Sequence, residues 1–217
     1  MHTRTFFYPV LLTLVLITSF FVVTPPTASA TSVLKVTTIE PSTSVADATV
    51  NLYCRLKVGK KYISSSGSGV FIDDRGVILT NAHVAQFFLL AKEKGKVTGA
   101  CSVRTGSPAN ATYNASILYF PNDWLTENVT EIAKETPKGT GENDIALLYV
   151  TSAKRGSLPT KFPTLTTNET ATTTPSGAVT IAGYPTENQN FDQIRSKLAQ
   201  VVASSTITST KGFETST

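Results

Sequence analysis

The 217-residue sequence predicts an all-β fold of the kind found in extracellular domains. Charged residues make up only 16% of the chain, and Thr and Ser carry much of the polar surface. From residue 46 onward, short β-branched runs alternate apolar and polar residues between turn signals. No long apolar helical run follows residue 30. At 41% hydrophobic residues, the chain can bury a real core.

The first 30 residues form a separate unit. "MHTRT" supplies a basic start through Arg4, "FFYPVLLTLVLITSFFVV" is an uncharged apolar run, and "TPPTASA" ends in Ala28-Ser29-Ala30. This three-part order predicts a secretory signal peptide over 1–30, cleaved after Ala30. The rival reading is an uncleaved membrane anchor, because residues 6–23 give 18 mostly apolar residues in a row. Cleavage places the protein outside the cell or in the cell envelope or periplasm. A membrane partner is expected only if the segment stays.

Residues 31–45, rich in Thr and Ser, read as a leader. The next run, "ATVNLYCRLKV", alternates as a half-buried strand, and "KKYISSSGSGVFID" follows after a turn near Gly59. "DDRG" is a turn in which Asp73 and Asp74 precede Gly76, and "VILTNA" is a third strand. "VAQFFLLAKEKG" predicts a short helix closed by Gly95, with Phe87-Phe88-Leu89-Leu90 as its core face. Strands "VTGACSVRT", "ATYNASILYF" and "DIALLYV" come next. A polar insert over 121–143 separates the last two, and Trp124 is expected to anchor it. The Pro- and Thr-rich residues 151–175 read as a connector. "AVTIAGYP" and "AQVVASSTITST" are further strands. The resulting division is 1–30, 31–45, 46–150, 151–175 and 176–217.

Net charge is +4, and removing residues 1–30 takes away Arg4 alone, leaving 18 Lys and Arg against 15 Asp and Glu, or +3. The basic clusters Lys60-Lys61 and Lys92-Lys94-Lys96 read as solvated faces, and nucleic acid is not expected as a partner. Cys54 and Cys101 both lie in strand-like runs of a chain expected to be exported, which predicts a strand-to-strand disulfide; two buried thiols are the alternative. Two Cys and one His do not make zinc spacing, so no metal is expected. Sequons occur at Asn110, Asn114, Asn128 and Asn168 and would matter in a eukaryotic secretory route.

Two positions carry chemistry. His83 ends "GSGVFIDDRGVILTNAHV", and the only other histidine, His2, lies in the segment expected to be removed. Asp144 directly precedes the run Ile145 to Val150, so it is poised for partial burial and needs a hydrogen-bond donor. A histidine Nδ1–H is such a donor. Pairing would fix the imidazole tautomer and leave Nε2 free to accept a proton. Ser66, Ser68 and Ser176 could be mistaken for nucleophiles, but they read as turn residues.

"GSGVFIDDRGVILTNAHV" resembles the histidine motif of trypsin-like serine proteases in their bacterial, HtrA-related form. "NDIALLYV" is similar to that family's aspartate motif, and "AVTIAGYP" to the strand that opens its second barrel. The three occur in the family's order. The resemblance implies a two-barrel all-β fold, with the first barrel complete and the second only partly present. It implies a Ser-His-Asp triad acting on protein or peptide substrates without a cofactor, with His83 as general base and acid and Asp144 orienting it. The family's nucleophile sits in a G-x-S-G-G motif, and this chain has none. A serine endopeptidase whose record stops short of its nucleophile is therefore expected, and this 217-residue chain alone is expected to be inactive. The alternative is a secreted, catalytically inactive pseudoprotease acting as a binding module.

Overall fold

Alternating strands close into a barrel. The computed structural model describes residues 37–38, 43–93, 95–130, 132, 134, 141–165 and 177–207. In chain order the elements are β1 Thr37–Thr38, α1 Thr43–Ala48, β2 Thr49–Val58, β3 Lys61–Asp73, β4 Val77–Thr80, α2 Ala82–Leu90 and β5 Val97–Thr105. There follow β6 Asn110–Tyr119, α3 Asn122–Glu127, β7 Ala146–Ala153, β8 Gly177–Gly183, α4 Phe191–Ser196 and β9 Val201–Ile207. Strands pair in the order β2-β3-β4-β7-β6-β5, and β5 returns to β2, closing six antiparallel strands. A separate three-stranded sheet has the order β1-β9-β8. The fold is thus mostly β, with one closed barrel and a partial second sheet, as the sequence predicts.

Period-two burial explains the closure. In β2 the side chains of Val50, Leu52, Cys54 and Leu56 point inward and are at most 2% exposed, whereas Arg55 and Lys57 face out. In β7 the inward set is Ala146, Leu148 and Val150. Phe71, Ile78 and Val103 complete the same cluster, each fully burying a side chain that contributes roughly 1.5–3 kcal/mol. Helix α2 adds Ala82, Val84, Ala85, Phe87 and Phe88, buried on more than one of its faces. The close approach of α2 to β3 requires glycine, because a Cβ on Gly67 would lie 2.6 Å from a Val84 methyl. Trp124 is fully buried and meets Phe120 edge-on at 5.5 Å, so it anchors the insert.

The turn between β3 and β4 is built by charge and backbone together. Asp73 accepts hydrogen bonds from the Arg75 backbone N–H at 2.8 Å and from its guanidinium at 2.9 and 2.7 Å. These bonds hold the Asp73 carboxyl well below the usual carboxylate range, at about 2. Gly76 takes φ +97°, and a Cβ there would meet the Phe162 ring at 2.8 Å. Phe162 is one of several places where the structure departs from the sequence reading. Residues 151–175 were expected to connect two barrels, but β7 runs on to Ala153. Phe162 enters the first core against Phe71 at 4.8 Å, and Leu165 N–H donates to Phe71 O at 3.0 Å. One aromatic in a Pro- and Thr-rich run gave no periodicity to detect.

Other boundaries shift for local reasons. Part of the expected leader is structured: Thr37 and Thr38 pair with Ser204 and Ala203, and α1 starts at Thr43. Helix α2 stops at Leu90, and Gly95 (φ +81°) belongs to the turn before β5. Ser66 and Ser68 are not turn residues; both lie inside β3, paired with Tyr53 and Asn51. Helix α4 was not anticipated, although Asn190 and Gln193 form a capping box that spells out its start. Asn128 is buried and donates to Trp124 O at 3.0 Å, so its sequon asparagine is a structural amide. The predicted signal peptide with His2, most of the leader, Asn168, Ser176 and residues 208–217 lie outside the described residues.

Two links hold distant parts of the chain together. Cys54 and Cys101 are register partners on β2 and β5 and form a disulfide across the strand pair that closes the barrel. Tyr184, in the turn after β8, donates from its backbone N–H to Ser68 Oγ at 2.8 Å and from its hydroxyl to Gly106 O at 3.1 Å. It thereby ties the second sheet to the first barrel. Burial pushes the Tyr184 phenol up to about 12, against the opposing pull of Arg104.

Two outcomes are expected. Replacing Cys54 and Cys101 together by alanine removes a crosslink spanning a sequence separation of 47 and should lower stability by about 2–4 kcal/mol in a denaturant titration. Because the folded-state pKa of Tyr184 is raised, its contribution is complete below the ordinary tyrosine value of about 10 and is lost as pH rises through about 12. Melts recorded across that window should show an alkaline loss of stability that Tyr184→Phe reduces, the part left coming from Tyr53 and Tyr113, whose phenols burial also raises, while Tyr184→Phe itself costs about 1 kcal/mol at neutral pH.

Candidate active site

Strand β4 delivers the histidine to the mouth of the barrel. Asn81 follows Thr80 and caps α2 in an extended conformation (φ −81°, ψ 148°). Its carbonyl accepts from Val84 N–H at 3.2 Å and Ala85 N–H at 2.9 Å. Ala82 is fully buried and pins the first turn. His83 is therefore the second residue of the helix, where a backbone N–H has no partner within the helix.

That N–H finds Asp144. The His83 backbone N–H donates to Asp144 Oδ1 at 2.9 Å, and His83 Nδ1 lies 2.7 Å from Asp144 Oδ2. A carboxylate only accepts, so Nδ1 carries the proton and Nε2 is left as the acceptor. The Asp144 side chain is 6% exposed and the His83 side chain 31% exposed. Burying the carboxylate is tolerated because charge-assisted hydrogen bonds replace its water. The two residues are 61 positions apart in sequence. Pairing of β4 with β7, which sets Thr80 opposite Ala146, brings them together.

Two residues that sequence reading missed position the pair. The Asn81 side-chain amide donates to the Asp144 backbone carbonyl at 3.0 Å, with a longer approach to Oδ2 at 3.5 Å. The side chain of the asparagine in "TNAH" thus serves the aspartate, while only its backbone caps the helix. Gln86, 1% exposed, donates to His83 O at 2.9 Å and so holds the carbonyl of the histidine. A glutamine three residues after the histidine, one helical turn on, was the available signal. On the other strand, Asn143 takes the left-handed conformation (φ 53°), and Ile145 N–H donates to its carbonyl at 2.8 Å. That tight turn places Asp144 at the start of β7.

Asp144 borders a cleft of about 590 Å³ between the barrel and the second sheet. Thr80, Asn81, Asp144 and Ile145 line one side, and Thr180 and Ile181 of β8 line the other. Ser68 also lines it, but its Oγ already accepts from Tyr184 N–H. Ser66 Oγ accepts from the Asn51 amide at 2.9 Å. The structure therefore brings His83 and Asp144 together, and it brings neither serine to the imidazole as a hydrogen-bond partner. Among the described residues, no three His, Cys, Asp or Glu side chains converge to hold a metal.

The helix start depends on the carboxylate. Asp144→Ala leaves the His83 N–H and imidazole without an acceptor and should cost about 1.5–3 kcal/mol in a denaturant titration. Asn81→Ala removes a neutral hydrogen bond and should cost about 1 kcal/mol.

The trypsin-like peptidase domain family matches residues 67–216, more than half of the chain. The matched stretch starts at the glycine on which α2 packs and contains His83, Asp144 and the β8–β9 pair. No curated protein shows significant similarity to the chain. With a closed six-stranded barrel, a partial second sheet and this match, the chain belongs to the trypsin-like peptidase domain family.

Proposed function

We propose that this chain carries the histidine and aspartate of an exported serine endopeptidase of the HtrA-related type. The observation that carries the reading is the 2.7 Å contact between His83 Nδ1 and the buried Asp144 carboxylate, beside a cleft in a trypsin-like peptidase domain. In the reaction, serine Oγ attacks the scissile carbonyl carbon while His83 Nε2 takes the hydroxyl proton. The tetrahedral intermediate collapses, the C–N bond breaks, and His83 passes the proton to the departing amine. Water, deprotonated by the same nitrogen, then releases the acyl group and restores the serine. Asp144 stays ionised, keeps the imidazole in one tautomer and stabilises the imidazolium that forms. No cofactor takes part.

The 217 residues contain no Gly-Gly pair, and so no G-x-S-G-G motif. In this reading the nucleophile and the oxyanion-hole backbone lie outside these residues. Ile181 and Val201, 53% and 43% exposed on β8 and β9, are apolar side chains that further strands of a second barrel would cover. Residues 1–30 would direct export and be removed after Ala30, leaving a protein outside the cell or in its envelope. The alternative reading of the missing motif is a secreted pseudoprotease that binds peptides in the cleft without turnover.

Reading the coding sequence past codon 217 and assaying the longer chain on an unfolded protein substrate separates the two. An enzyme should appear with a G-x-S-G-G motif, and its kcat should fall about 10⁴-fold on Asp144→Asn and be abolished by His83→Ala. The 217-residue chain alone should give no hydrolysis above background. Turnover that survives His83→Ala would remove the imidazole from the mechanism. An in-frame stop after Thr217 would favour the pseudoprotease.

A further inference from the structure

The described members of the two basic clusters, Lys60, Lys61, Lys92 and Lys96, meet in the fold; Lys94 lies outside the described residues. Strands β2 and β3 join in a hairpin at Gly59–Lys60, and Val58 at its tip pairs with both Lys61 and Val97. Lys60 and Lys61 therefore lie beside Lys96, which precedes Val97. A tight turn in which Val97 N–H donates to Glu93 O at 3.1 Å brings Lys92 and Glu93 to the same end. Arg55 and Lys57 face outward on the adjoining stretch of β2. All six cations are exposed.

The charge is concentrated there. Six cations less Glu93 give +5 at this end of the barrel, whereas the whole chain has 19 Lys and Arg against 15 Asp and Glu, or +4, so everything else sums to −1. Among the described residues, Glu93 is the one acid on these turns. In the midst of the cations stands Tyr62, 60% exposed, with the Arg55 guanidinium 5.2 Å and the Lys57 ammonium 5.6 Å from its ring centre. The row continues through Phe191, 42% exposed, which lies 5.4 Å from Arg55 and 5.9 Å from Arg195. Arg195 is neutralised by Asp192 at 3.5 Å, so the excess charge ends there.

From this juxtaposition we propose that the tip of the β2–β3 hairpin, with the turn before β5, docks the protein on a bilayer rich in anionic lipid headgroups. Clusters of about 4–8 Lys and Arg are the number that anionic lipid surfaces hold, and amphipathic tyrosine rings sit at headgroup depth. Both faces of the problem are met by one hairpin: Lys60 and Lys61 for the charge, Tyr62 for the interface. A single-stranded nucleic acid fits less well, because base stacking needs open ring faces and cations already cover Tyr62. On the signal-peptide or anchor reading, the apolar run over residues 6–23 would also bring the chain to a membrane. Gly67, on which α2 packs, lies six positions along β3 from Lys61, or about 20 Å of strand. Docking at the tip leaves the cleft beside Asp144 uncovered.

Residues 34–217 form a unit of their own, so binding can be read on the chain without residues 1–30, free of the apolar run. Co-sedimentation would use vesicles of phosphatidylcholine alone and of phosphatidylcholine with phosphatidylglycerol, at low and high salt. Binding is expected only to the anionic vesicles and should weaken with salt. The triple change Lys60→Gln, Lys61→Gln, Lys96→Gln should lower the partition coefficient on the order of 100-fold. Tyr62→Ser should weaken binding and keep its salt dependence. Lys154→Gln with Arg155→Gln, exposed beyond the far end of β5, should leave binding unchanged, and thermal melts check that every variant is folded. Equal binding to both vesicle types, an unaffected triple variant, or an equal loss in the Lys154 and Arg155 variant would overturn the proposal. So would retention on a soluble polyanion, such as polyphosphate or single-stranded DNA, without binding to anionic vesicles.

Discussion

A buried carboxylate is the constraint around which the site is organised. Asp144 gives up its water and must be repaid in N–H groups. Two bond the carboxylate, the backbone and ring N–H of His83, while the Asn81 amide holds the Asp144 backbone carbonyl and approaches Oδ2 at 3.5 Å. Meeting that need fixes the start of α2, since the carboxylate takes the place of a side-chain cap on the helix. It also fixes the register of β4 on β7, because a one-residue slip would carry Asp144 to the other face of the sheet. The imidazole geometry is thus a by-product of satisfying one buried charge, which is why a single acid can both stabilise the fold and prepare a base.

Supporting that constraint is close packing at two glycines. Gly67 lets α2 lie directly on β3, and Gly76 lets the chain turn under the Phe162 ring. The segment after β7 then closes the barrel floor, with Phe71, Tyr113 and Phe162 in mutual contact at 4.8–6.5 Å between ring centres. Beyond the barrel, Arg104 is the matching device. It is 2% exposed, stacks at 4.9 Å on Tyr53, and gives its N–H groups to Ala109 O and Ile194 O. Burial lowers the pKa of that guanidinium. A buried cation held by carbonyls fastens α4 to the barrel, and Tyr184 does the same for the turn after β8.

Strands with strict alternation were legible, and their order along the chain with them. Strand β5 begins and ends where its sequence run does, and β2, β6 and β8 do so within a residue or two. What was hidden has a common cause: it depended on partners far away in sequence. Phe162 looked like part of a linker because one aromatic makes no pattern. Asn81 looked like the end of a strand run, and Ser68 like a turn residue, because neither Asp144 nor Tyr184 is near them in sequence. Helix α4 is the exception, since its capping box was local and readable.

By itself the sequence determined the residue types and their periodicity: an all-β chain, an apolar strand ending in the one histidine after residue 30, an aspartate at the mouth of another strand, and two cysteines in strand-like runs. These are local properties, set by side-chain alternation and turn chemistry. Only the tertiary structure decided which of them meet. Strand register put Cys54 opposite Cys101, brought Asp144 to His83 across 61 residues, and gathered six cations from three segments at one end of the barrel. Register is set by burial of whole strand faces against one another, a cooperative property of the closed barrel that no single segment contains.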